Sequence, residues 1–369
     1  MRALKDRTRK GAVSIFSKKT GLMNSWDEVT DELFERHEIV TDGKQSKIRI
    51  DKFLVDRLPR VSRNRVQDAI RAGSITVNDK IIKPNYRVRP NETISILLPK
   101  APDESVRLRP EPIPIDVVYE DDDLMVINKQ AGLVVHPGIG NHSGTLVNGL
   151  LHYLAEKETD TPTLAGNPEN RPFLVHRIDK DTTGLMVIGK NEFAISSLGQ
   201  QFFKHTIHRR YKAIVWGEPE EEEGTIDVHV GRDPRHRARQ AVFPEGEYGK
   251  HAITHWRMHE RLYYVSVIEC QLETGRTHQI RIHMKSIGHP LFNDAKYDGD
   301  RIHKGTVYSK YKSFVENCFK LCPRQALHAA ELGFRHPRTG EELLFKSELP
   351  EDMTACLARW RVYIAGRAK

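Results

Sequence analysis

The sequence predicts an α+β protein of two domains: a small αβ unit, then a larger α+β domain built on a mixed, mostly antiparallel sheet. Three observations predict it. The chain has 369 residues, long for one domain and comfortable for two. Its formal charge is +8, and the stretch from Lys47 to Lys100, with 13 Lys and Arg against 5 Asp and Glu, carries +8 alone, so the rest sums to zero. Beyond a proline-rich connector starting at Pro99, short β-rich runs (LMVINK, LMVIGK, YKAIVWG, YYVSVIECQLE) alternate with a few helical segments.

Residues 1–45 read as a tail, basic over the first twenty and then acidic; NSWDEVTDELFERHEI can form one amphipathic helix, docked or disordered. Residues 46–108 are the small domain. IRIDKFLVDRLP is a short helix stopped by Pro59. Ser62 caps a second helix, Arg63 to Ala72, with Gly73 as its C′ residue. SITVNDKII reads as strand, Asn-Asp turn, strand, and ETISILLP as a further strand. Arg63, Gln67 and Arg71 share one side of the second helix, with Arg60 just before it. Such a row suits phosphate oxygens, although most charged helix faces are merely solvated.

The larger domain spans 109–369. QIRIHMKSIG reads as a helix ending at Gly288, and the Lys- and aromatic-rich stretch 301–324 reads as an inserted loop or helix. The basic segment with Arg232, Arg235, Arg237 and Arg239 suits either RNA backbone or plain solvent, and Glu220 to Glu223 a solvated turn. No run of about 18 apolar residues could span a bilayer, and the N-terminus lacks the apolar core of a secretory signal, which points to a cytoplasmic protein. Four cysteines (Cys270, Cys318, Cys322, Cys356) are too few and too dispersed for a zinc site and read as reduced structural thiols.

The most informative segment is FLVHRIDKDTTGLMVIGK, Phe173 to Lys190, which places Asp179 on a loop between two strands. A lone Asp there could be a turn former. Its company argues for more: Arg177 two positions before, and a Thr-Thr-Gly that shapes the loop. Asp179-x-Asp181-x-Thr183 also fits a signature of magnesium-dependent phosphoryl transfer, but His176 and Arg177 break the apolar run that should precede it. A calcium loop is excluded because its twelfth position is Lys190 rather than Glu. His176, His278, His283 and His289 lack the His-Glu-x-x-His spacing of a zinc helix and read as RNA-contacting or packing residues, so no metal is expected.

Two resemblances sharpen this. Ile48 to Val88 resembles an S4-type RNA-binding domain, which implies structured RNA. HRIDKDTTG resembles the His-Arg-Leu-Asp-x-x-Thr-Ser-Gly motif of the RluA-type pseudouridine synthases, with Ile178 and Thr183 as conservative changes. INKQAGLVVHPG (Ile127 to Gly138, Gln130 standing for the usual Pro), RRYKAIVWG (Arg209 to Gly217), Leu272 to Gly299 with its TGRTHQIR, and ALHAAELGFRHP (Ala326 to Pro337) resemble further family segments, in order.

The resemblance implies a catalytic domain that isomerises uridine in RNA, with Asp179, Tyr211 and Arg276 catalytic. Arg276 is expected to pair with Asp179, Tyr211 to stack under the base, and Arg177 to fill the gap left by a flipped-out uridine. Arg60, Arg63, Arg71 and His176 are the other expected RNA-binding residues. The bland readings are a structural ion pair for Arg276, a core tyrosine for Tyr211 and simple phosphate binding for Arg177. An isomerisation needs no cofactor. The expected partner is ribosomal RNA of the large subunit, with transfer RNA second, and the expected state a monomer. The competing reading is an inactive RNA-binding ribosome-assembly factor.

Overall fold

The computed structural model describes residues 33–59, 61–100, 108–138, 140–157, 173–306 and 308–366. The first unit is a four-stranded sheet in the order β1-β4-β2-β3, formed by β1 (Phe34–Val40), β2 (Ile75–Val77), β3 (Lys80–Ile81) and β4 (Thr93–Pro99). Two helices, α1 (Ile50–Val55) and α2 (Arg63–Arg71), close a core of Ile50, Phe53, Leu54, Val66, Ile70, Ile75 and Ile94. The Ser62 side chain accepts the Arg65 amide, as its N-cap position predicts. Asn78 and Asp79 take φ of 48° and 59°, the left-handed pair that a tight hairpin requires.

The described part of the acidic segment is strand, not the expected tail or helix. Seven residues of β1 pair antiparallel with β4, from Phe34↔Pro99 to Val40↔Thr93. The cause is tertiary: β4 would otherwise present an open edge, and a charged strand covers it with Phe34 and Ile39 turned inward. The small sheet therefore begins before residue 46.

The larger unit is an eleven-stranded sheet. Its main path runs β11 (Gln240–Phe243), β10 (Glu223–Arg232), β12 (Lys250–Arg261), β13 (Val265–Leu272), β9 (His208–Trp216), β14 (Leu327–Arg335), β8 (Thr183–Gly189), β6 (Leu124–Lys129), β5 (Val117–Glu120). β7 (Phe173–Leu174) pairs with β8, and β15 (Glu342–Lys346) with β14. Among the described strands only β8 and β14 run parallel. One face is covered by α3 (Leu146–Glu156) and α5 (Gln279–Ser286), whose Leu150, Ile280 and Met284 share a core with Ala213, Val215 and Ile268.

On the other face, α6 (Ser309–Leu321) and α7 (Glu351–Ala365) pack around Trp216, Phe292 and Trp360. The stretch 301–324 thus contributes core residues, and Phe314 stacks on Tyr363 at 4.1 Å. All four cysteines are free and buried. No described helix is long and apolar enough to cross a membrane.

The two units are packed together. Phe34 and Leu97 join an apolar cluster with Leu124, Val187, Leu198 and Phe202, the last two from α4 (Glu192–Phe203). Gly199 makes room: a Cβ there would run into the Phe34 ring. The Ser74 hydroxyl donates to the Ser196 carbonyl at 2.8 Å, and Arg65 faces Glu192 at 3.4 Å.

Candidate active site

The site grows from the loop between β7 and β8. Val175 and Ile178 anchor it in the core, while Arg177 is exposed. Behind Asp179 the chain turns, with the Thr182 amide donating to the Asp179 carbonyl at 3.2 Å. Gly184 then crosses β14 so closely that a Cβ would meet the Ala329 backbone, and its φ is +113°. That is the physical content of the Thr-Thr-Gly: only glycine lets the loop enter the parallel pairing at His328↔Thr183 and Ala329↔Gly184. Thr183 Oγ1 bonds His328 Nδ1 at 2.9 Å.

Lys129 supports the same loop from β6. Its buried ammonium donates to the carbonyls of Gln130, Leu133 and Lys180 at 2.8, 3.0 and 2.8 Å. Burial pulls its pKa down to about 7, against the opposing attraction of Asp181 and Asp179.

The second wall is the turn into α5. Gln279 organises it with a full set of bonds. Its Oε1 accepts from Thr274 Oγ1 at 2.8 Å and the Arg276 amide at 2.9 Å, and its Nε2 donates to the Ile253 carbonyl and Thr254 Oγ1, both at 2.9 Å. His278 caps the helix with φ 58°, an uncommon conformation for a non-glycine residue, and this brings its Nε2 to 4.0 Å from Asp179. The other ring nitrogen bonds Tyr297 Oη at 2.8 Å.

The guanidinium that meets Asp179 belongs to Arg281, at 2.8 Å, and not to Arg276 as the sequence suggested. Arg281 is held in turn by both oxygens of the buried Asp294, at 2.7 and 2.8 Å. Arg276 is also buried, but it donates through Nε to the His251 carbonyl at 2.8 Å and forms part of the cavity wall. The motif holds two arginines five residues apart, and the sequence does not say which one the helix turns toward the loop. Asp294 lies in a turn-forming stretch, and nothing in its residue type marks its place behind Arg281.

Burial by itself would raise the Asp179 pKa. His278, Arg281 and Arg177 overcome it and hold the carboxyl below its ordinary value. Burial pulls His278 down to about 4, so near neutrality it is uncharged and the arginines provide the attraction. Asp179 is thus ionised, and its side chain remains 22% exposed.

Asp179 opens onto a cavity of about 60 Å³, which is also lined by Tyr211, Leu272, Arg276, His278 and Ile280. Tyr211 comes from β9, opposite Cys270 of β13, and is buried among the apolar wall. A wider cleft of about 490 Å³ adjoins at Asp179, with Arg177, Lys180, Lys296 and Arg324 in its walls. The arrangement therefore offers an ionised carboxylate, an aromatic side chain and fixed cations in one concave site.

The other expected contacts fare differently. His176 is buried: its Nε2 accepts the Val187 amide at 3.0 Å, and its ring stacks on Phe202 at 4.7 Å. Burial and Arg209 pull its pKa down to about 3, so it packs beneath the loop as a neutral ring instead of gripping RNA. Arg63 is tied to the buried Asp51 at 2.9 Å, as is Gln67 at 2.8 Å, while Arg71 is half-exposed and pairs with Asp68. Arg60 lies outside the described residues. Among those residues one set of ligand-type side chains converges, Asp121, Asp123 and His336. It is already committed to an ion-pair network, with Arg338 on Asp123 and His336 on Asp121.

Comparison with known proteins identifies the family. Residues 123–286 match the RNA pseudouridylate synthase family and residues 48–94 the S4 domain. An uncharacterized RNA pseudouridine synthase of Chlorobaculum parvum is 47% identical over 86% of this chain and 95% of its own length. The ribosomal large subunit pseudouridine synthase D of Zymomonas mobilis is 41% identical over 83% of this chain and 91% of its own. In fold, human RNA pseudouridylate synthase domain containing 4 superposes with a TM-score of 0.50 at 23% identity, covering 67% of this chain and 93% of that one.

Proposed function

This chain belongs to the RNA pseudouridine synthase family, and from that premise we propose that it isomerises particular uridines of large-subunit ribosomal RNA, with Asp179 as its catalytic carboxylate. The observation that carries the reading is the ionised Asp179, bonded to Arg281 at 2.8 Å and facing a cavity walled by Tyr211. The names of the Zymomonas mobilis and Neisseria meningitidis relatives support ribosomal RNA as the substrate.

Uridine must break its C1′–N1 bond, turn the freed base, and rejoin through C5, with the C5 proton passing to solvent and N1 taking one up. Atoms balance without an oxidant, a reductant or a phosphate donor. A carboxylate at the sugar stabilises the positive charge that develops as C1′–N1 breaks, or bonds to the nucleoside. Arg281 keeps that carboxylate charged and aimed, and Asp294 fixes Arg281. Tyr211 provides the surface on which the base turns, and its hydroxyl is the nearby acid–base group for the C5 proton. The base cannot be reached inside a stack, so the uridine leaves it, and the exposed Arg177 beside Asp179 fills the gap. Arg276 contributes to the wall against the base. Arg71 reaches phosphate from the small domain, as does Arg60, while Arg63 stays on Asp51. The setting is the cytoplasm and the working unit a monomer.

The test uses transcribed ribosomal RNA with tritium at uridine C5, in EDTA. Tritium release that is lost in Asp179→Asn, with RNA binding retained, is the expected result. Release only from transfer RNA would move the substrate. Full activity in Asp179→Asn would sink the assignment of Asp179, and binding without release from any RNA would favour an assembly factor.

A further inference from the structure

The carboxylate end of the catalytic loop is held by Arg281, which leaves the question of what holds its backbone. One side is Lys129. The other is Arg324, a buried residue just beyond α6, whose five N–H donors are all engaged. Nη1 donates to the carbonyls of Asp181, Gln325 and Leu327 at 2.9, 3.1 and 3.1 Å. Nη2 reaches Thr183 Oγ1 at 3.3 Å and Asp352 Oδ1 at 3.0 Å, and Nε reaches Asp352 Oδ2 at 2.7 Å. Asp352 stands in the first turn of α7. The neighbouring Gln325 donates to Thr182 Oγ1 at 3.4 Å. The loop from Asp181 to Thr183 is therefore fastened at three consecutive residues to a segment some 140 positions later in the chain, and Asp352 fixes the plane of the guanidinium that does most of it.

We propose that Arg324, locked by Asp352, is a positioning residue that sets Asp179 through the backbone behind it and so ties the isomerisation rate to the C-terminal helix pair. The proposal rests on the assignment of Asp179 as the catalytic carboxylate. Only a planar fork can serve the Asp181 carbonyl, Thr183 and the Asp352 carboxylate together; an ammonium has neither the donors nor the geometry. Neither residue borders the cavity under Tyr211, although Arg324 lines the wider cleft beside Asp179, so loss of the lock leaves the base-binding wall intact and moves the carboxylate. Displacing a reacting group by about an ångström costs as much as about 100-fold in rate.

The test compares Arg324→Lys, Asp352→Asn and the double variant in the full chain. Measured quantities are single-turnover rate, RNA affinity, melting temperature and hydrogen exchange of the 180–184 amides. Leu154→Ala in α3 is the control for general destabilisation. The expected result is a rate about 10-fold or more down in each single variant with RNA affinity within about threefold. Exchange should quicken in the loop, and the double variant should be no slower than Arg324→Lys, because the two residues act as one unit. Leu154→Ala should melt earlier at an unchanged rate. If the folded variants turn over within about twofold of the parent, with loop exchange unchanged, the proposal is overturned and the pair is structural only. A parent chain inactive on every RNA would instead sink the functional assignment, while loop exchange would still decide the grip.

Discussion

At the scale of the residue, the site is a competition between burial and charge at Asp179. Burial disfavours its ionised form, and His278 with the arginines around it reverses that. Because its pKa is depressed in the folded protein, the stability it contributes is present above its ordinary value and is lost as pH falls through the lower, folded one. The acid limb of activity from this group should accordingly lie below about pH 4. Arg281→Met removes the hydrogen-bonded partner and leaves only His278 and Arg177 against burial, so the Asp179 pKa should rise and the acid limb move toward neutrality. The same change strands Asp294, a buried carboxylate, and should cost about 3–5 kcal/mol in a denaturation curve. A pH–rate profile of Arg281→Met with an unmoved acid limb would rule out this account. That Asp179 stands on a loop between two strands was legible in the run from Phe173 to Lys190. The partner was not, because the choice between Arg276 and Arg281 depends on where α5 begins and on the left-handed turn at His278, and neither leaves a mark in residue type.

At the scale of the element, local chemistry was readable wherever the chain supplied its own reason. The Ser62 cap, the Asn78-Asp79 turn and the Gly288 stop on α5 are all decided by nearby backbone needs. β1 was not readable: its Glu35, Arg36, His37 and Glu38 suit a helix equally well, and only pairing with β4 decides for a strand. The role of Gly184 was half-visible, as a turn glycine, while the reason it must be glycine lies in β14. Gly184→Ala combines a strained φ with a clash against backbone, so a loss of about 2 kcal/mol or more is expected, read as an earlier melting transition. The arginine row of α2 also divides once structure is known. Arg63→Gln strips a bond from buried Asp51 and should destabilise the fold by about 1–2 kcal/mol. Arg71→Gln should leave melting unchanged, weaken RNA binding, and lower the slope of log affinity against log salt by about 1.

At the scale of the whole molecule, the small domain is docked rather than tethered. Phe34 is the wedge, since it fills the space that Gly199 leaves on α4. Phe34→Ala should cost about 3–5 kcal/mol at that junction and make the connector a preferred site of limited proteolysis; an unchanged digestion pattern would show that the junction does not depend on it. The division into a basic module and a larger sheet was visible in charge alone, but the docking was not, because glycine–aromatic complementarity carries no signal in composition. The parallel pairing of β8 with β14 has a consequence in time. A chain leaving the ribosome displays its small domain and the Asp179 loop long before residues 324–352 exist. If Asp179 works through the Arg324 grip, nascent protein is expected to bind RNA without modifying it until the last strands and helix close behind the loop.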